Sequence, residues 1–159
     1  MKNDIYSTPN VELEYSLRYI YIKVRNVVGI LNRIASLMRR KRYNIEDMSV
    51  AFDDEQFSHL IFAIDGRLID VQNAVEQLRK LHDTVEARDM TQEKDHLFKV
   101  FYVEAEDFSK FPVEPLRIMK TDDETRGIFM TPLGDDTAEL VQFLDSNNYS
   151  YRRRLVGLT

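Results

Sequence analysis

The chain has 159 residues, enough for one ordinary domain or two small ones, and 27 acidic against 22 basic residues leave a net charge of −5, so no broad nucleic-acid surface is implied. Its 43% hydrophobic and 31% charged residues are ordinary for a soluble globular protein, and the lack of cysteine excludes disulfides, thiolate metal sites and a cysteine nucleophile. No apolar run approaches the roughly 20 residues that span a bilayer, and the polar start is no secretory signal, so a soluble, cytoplasmic protein is expected.

Residues 1–16 carry Pro9, Asn10 and several charges with little periodicity, and read as a mobile arm. Residues 18–25 alternate, with Ile20, Ile22 and Val24 to one side and Tyr19, Tyr21, Lys23 and Arg25 to the other, as in a half-buried strand. After Asn26-Val27-Val28-Gly29 the period changes. Ile30, Leu31, Ile34, Leu37 and Met38 form the stripe of an amphipathic helix, and Arg39-Arg40-Lys41-Arg42 closes it with cations that suit its negative end. A second strand is predicted over residues 44–52, with Met48, Val50 and Phe52 alternating. Asp53-Asp54-Glu55-Gln56 is a polar turn, and residues 57–64 form a third strand with Leu60, Phe62 and Ile64 on one face. Asp65-Gly66 stops that strand. Leu68, Val71, Val75, Leu78 and Leu81 then predict a second helix, and residues 84–89 a short fourth strand carrying Val85 and Ala87. The order β-α-β-β-α-β predicts an α+β fold of the ferredoxin-like kind, two helices on one face of an antiparallel sheet, over residues 17–92.

Residues 90–95 form a polar joint. Beyond it, over residues 96–159, a second and shortened α+β unit of the same kind is predicted: a strand at 97–103, a hairpin pairing 116–120 with 127–131, a helix at 135–145 and a closing strand at 149–157. Pro112 and Pro115 leave little room for this unit's first helix.

Gly29 lies at the mouth of the first helix. A glycine there lets a small anion approach unpaired backbone N–H groups, where the helix dipole also favours negative charge. Asn26 and Asn44, which flank the helix, can each give and take a hydrogen bond. These are the means of holding a free amino acid, and they point to sensing rather than catalysis. No nucleophile with an attendant base is found, and His59, His82 and His96 lie on separate elements without ligand spacing, so neither a catalytic nor a metal site is predicted. Arg39 to Arg42 lacks the stacking aromatics of a nucleic-acid site and reads as a solvated helix end. Arg152-Arg153-Arg154 reads as the charge protection of an edge strand, with docking to an acidic patch as the sharper alternative.

The β-α-β-β-α-β order, the Asn26-x-x-Gly29 turn, Val27-Val28-Gly29-Ile30-Leu31-Asn32-Arg33, Tyr43-Asn44-Ile45-Glu46 and Gln77-Leu78-Arg79-Lys80-Leu81 followed by Val85 together resemble the ACT domain of acetolactate (acetohydroxyacid) synthase regulatory small subunits. The resemblance covers about residues 17–92; the second half is similar to that family only in outline. It implies a homodimer formed through the ACT domains, with a branched-chain amino acid, chiefly valine, bound at the seam. Asn26, Gly29 and the backbone of Val28, Ile30 and Leu31 would hold the ligand, and Asn44 would reach it from the partner chain. Ile30, Leu31 or Ile45 would support the ligand's isopropyl group. It also implies a catalytic large subunit as partner, which carries the thiamine diphosphate, divalent metal and flavin; no cofactor is expected on this chain, nor any nucleic acid or membrane. The alternative is a stand-alone ACT-domain amino-acid sensor that regulates a different enzyme or a transcription factor.

Overall fold

The structure is a computed structural model that describes residues 15–52, 55–67 and 69–157. Most of the expected arm, Asp53 and Asp54 of the polar turn, and Leu68 of the second helix lie outside the described residues.

The first half is built from β1 (Leu17–Arg25), α1 (Ile30–Arg40), β2 (Ile45–Ala51), β3 (Phe57–Asp65), α2 (Val71–Arg79) and β4 (Thr84–Asp89). Its sheet is antiparallel in the order β2-β3-β1-β4. Ile20, Ile22, Val24, Leu60, Phe62 and Ile64 meet Ile34, Leu37, Met38, Ala74, Val75 and Leu78 of the helices in one buried core. The apolar stripe of each helix drives this contact, since burying one such side chain contributes about 1.5–3 kcal/mol. Asp70 fixes the start of α2 by accepting the Asn73 amide at 3.2 Å.

The second half repeats the plan with β5 (Leu97–Glu104), β6 (Arg117–Lys120), β7 (Thr125–Pro132), α3 (Asp135–Ser146) and β8 (Tyr151–Gly157), in the order β6-β7-β5-β8. No helix links β5 to β6. Phe108 and Phe111 fill that space instead, and Phe111 sits against Phe129, Phe143 and Tyr149 with ring centroids 4.8–5.2 Å apart. The expected α+β class and the shortened second unit agree with this architecture. The closing strand starts at Tyr151 rather than at residue 149, because Asn147 and Asn148 cap α3.

One expectation needs correction. The Tyr19 and Tyr21 side of β1 is not half-open: each tyrosine is 5% exposed, and with Leu17, Ile61 and Ala63 it packs against Met90, Leu97 and Leu155. The second sheet covers the face of the first that the helices leave bare. The joint is accordingly packed rather than merely polar: Met90 is buried, its amide donates to the Tyr19 carbonyl at 2.8 Å, and Thr91 Oγ1 accepts the Tyr19 amide at 3.0 Å. A buried ion pair crosses between the sheets. Lys99 of β5 is wholly inaccessible, and its Nζ lies 3.0 Å from Asp47 Oδ2 of β2.

Candidate functional site

The end of β1 is held from both sides: the Arg25 amide donates to the Asp83 carbonyl at 2.8 Å and the Asn26 amide to that of Gln56 at 2.7 Å. The chain then turns into α1 through Gly29, whose φ of 81° lies in the left-handed region. A Cβ added there would meet nothing within 4 Å, so glycine is required by the backbone angle and not by crowding. Arg33, one turn into the helix, pairs with Asp83 at 3.1 Å and fixes the direction of α1.

This helix start has no side-chain cap and no acidic residue in its first turn. The amides of Val28, Gly29, Leu31 and Asn32 find no acceptor among the described residues. Unpaired donors at the positive end of the helix dipole make a seat for a carboxylate. Val28 is fully exposed, Leu31 is 41% exposed, and Asn26 lies exposed beside them. Ile30 departs from the expectation in two respects: its amide already donates to the Val27 carbonyl at 3.2 Å, and its side chain is buried in the core. It can form the floor of the site but cannot supply a free N–H.

Asn26, Val28, Gly29 and Leu31 thus come together, whereas Asn44 and Ile45 do not join them within one chain. Ile45 lies opposite Ile64, near the end of the sheet where Leu17 pairs with Asp65; the Gly29 turn follows Arg25, which pairs with Phe57 at the other end. The seven-residue length of β2 separates the two asparagines by roughly 20 Å. Asn44 is exposed and donates through Nδ2 to Glu46 Oε1 at 2.7 Å.

Sequence reasoning missed Ser58. It is wholly buried, pairs with Val24 in register, and its Oγ has no hydrogen-bond partner among the described residues. The signal was present, because residue 58 shares the core-facing parity of Leu60 and Phe62. The histidines form no cluster: His59 Nδ1 lies 2.7 Å from the Tyr21 hydroxyl, and no group of metal-ligating side chains occurs among the described residues. A cleft of about 90 Å³ lies between the two halves, lined by Tyr19, Thr91, Leu133 and Thr137. Its threonine hydroxyls are already engaged, Thr91 with Asp89 and Thr137 with Thr131 and the Pro132 carbonyl.

With this geometry in view, residues 20–86 match the family described as the AHAS (acetohydroxyacid synthase) small subunit-like ACT domain. The match runs from β1 into β4 of the first half. The acetolactate synthase small subunit of Aquifex aeolicus is 42% identical over 73 residues, which are 45% of this chain and 38% of that one. The probable acetolactate synthase small subunit of Archaeoglobus fulgidus is 31% identical over 74 residues, 46% of each chain. The match therefore spans less than half the length of these curated relatives. The crystal structure of the acetolactate synthase small subunit from Thermotoga maritima shares the fold of both halves: it superposes with a TM-score of 0.65 at 17% identity, over 89% of this chain and 96% of that one. No helix among the described residues is long and apolar enough to cross a membrane.

Proposed function

We propose that the chain is a regulatory small subunit of acetolactate synthase. It activates a thiamine-diphosphate-dependent catalytic subunit and transmits feedback inhibition when a branched-chain amino acid fills the Gly29 turn. The observation that carries this reading is the coincidence of the family match over residues 20–86 with a glycine-opened helix start where the Val28, Gly29 and Leu31 amides lack acceptors among the described residues. The ligand's carboxylate takes the amides of Val28, Gly29 and Leu31, Asn26 Oδ1 accepts from its ammonium group, and Leu31 lies beside its aliphatic part.

The separation of Asn26 from Asn44 supports a dimer. β2 is an outer strand of its sheet, and Met48 on it and Phe52 just beyond its end are exposed. Two copies that paired these edges about a two-fold axis would run antiparallel, bringing Asn44 of one copy toward the Gly29 end of the other. Each seam would then hold one ligand between two chains. A ligand favouring one arrangement of the complex by about 1–3 kcal/mol would shift activity several-fold to a hundredfold. Thiamine diphosphate, a divalent metal and flavin belong to the catalytic partner in this reading.

Calorimetric titration with valine, leucine and isoleucine tests the site. Heat is expected from at least one of them with the native chain and from none with Gly29→Asp, whose carboxylate would occupy the anion seat. In the reconstituted enzyme the same variant should activate without conferring inhibition. Full amino-acid sensitivity of Gly29→Asp would overturn the placement, and failure to associate with an acetolactate synthase large subunit would leave a stand-alone sensor.

A further inference from the structure

The second sheet has one covered face and one open face. Leu97, Lys99, Phe101 and Val103 of β5 point to the covered side and are buried. The alternate residues form the open side, where Val100 pairs with Met130, Tyr102 with Ile128, and Phe98 lies between Pro132 and Val156. All of them are partly or fully exposed. The two inner strands therefore present a largely aliphatic strip.

The outer strands flank this strip with arginine. Arg117 of β6 lies beside Ile128, and Arg152 and Arg154 of β8 lie beside Tyr102 and Val100. All three are exposed in a chain of net charge −5. No carboxylate pairs with them among the described residues, and the Arg154 guanidinium donates only to the Arg153 carbonyl, at 2.8 Å. Arg126 differs: it pairs with Glu124 and, at 3.5 Å, with Glu104, and it lies over the Tyr102 ring. The charge that remains is thus on the two rims, roughly 14 Å apart across four strands.

A contiguous apolar face with a charged rim marks a binding surface. Its chemistry selects the occupant. A second copy seated face to face would set arginine against arginine. Single-stranded nucleic acid needs free aromatic platforms, but Tyr102 is covered by Arg126 and the centre is Val100 and Met130. An α-helix about 10 Å across fits between the rims. We propose that this face docks an amphipathic helix of the catalytic subunit, one with an aliphatic stripe flanked by carboxylates. The proposal rests on the regulatory-subunit reading above and adds the docking surface to it.

The test uses the full chain with the acetolactate synthase large subunit of the same organism, measuring binding across a salt series together with activation. Arg152→Glu/Arg154→Glu and, separately, Met130→Asp should each weaken binding at least tenfold while thermal melting and calorimetric heat with valine, leucine or isoleucine match the native chain. Native binding should weaken as salt rises. Arg39→Glu/Arg40→Glu, on the far helix, should bind as the native chain does. Equal loss in that control, or native-like docking by the open-face variants, would overturn the proposal. If the native chain fails to bind the large subunit, the regulatory-subunit reading itself falls and takes the docking surface with it.

Discussion

Gly29 and Gly127 show two different reasons for a residue to be glycine. Gly29 has empty space where a side chain would stand but a left-handed φ; Gly127 would place a Cβ 2.7 and 2.9 Å from Phe108 ring atoms and 3.0 Å from Phe129. A ring wedged among Phe111 and Phe129 cannot withdraw cheaply. Gly127→Ala is therefore expected to cost about 1–3 kcal/mol, seen as a lower urea midpoint with an unchanged slope. Gly29 was legible in the sequence because the hydrophobic period changes at that residue. Lys99 was not: a lysine at an inward position of β5 reads as an error until Asp47, from a strand 52 residues earlier, comes beside it. Sequence patterns carry local periodicity and leave such distant pairings out.

At the scale of elements, the strands and helices of the first half were readable because each keeps one period from end to end. The second half gave up its strands equally well but not the stacking that replaces its missing helix. Phe108 and Phe111 sit in an irregular stretch where no period marks them as core. The Lys99–Asp47 pair is the element contact most open to measurement. Asp47→Ala would leave a buried ammonium uncompensated and is expected to cost about 3–5 kcal/mol, whereas Asp47→Leu with Lys99→Met should come close to native stability. Thermal melting of the single and double variants separates the two outcomes. Equal losses would mean that the packing of the side chains, and not their charge, holds the sheets together.

For the whole molecule, the face-to-face stacking of two sheets was the feature that sequence did not reveal. Tyr19 and Tyr21 suit an exposed strand face as well as a buried one. The acid response reports on the assembled fold. The Arg67 guanidinium holds the Asp65 carboxyl below the usual carboxylate range, and Arg88 does the same for Glu93. Both groups bind protons less readily folded than unfolded, so the stability they add is present above about pH 4 and lost as pH falls through their depressed values. Burial raises Asp145, against the bond it accepts from Tyr151, so its protonation works in the opposite direction. Urea midpoints should thus fall from pH 6 to pH 3, and Asp65→Asn should flatten the decline. An unchanged slope in that variant would show that its pairing with Arg67 adds nothing to acid stability.

The outermost strand of the first sheet, β2, begins beside Asn44 and two residues into its run carries the carboxylate that neutralises Lys99. A push on that rim therefore cannot stay local. Tilting or sliding the strand would either pull the second sheet along or strand a cation in oil, and the second outcome is too costly to be populated. The rivet between the halves makes the molecule answer as a single lever.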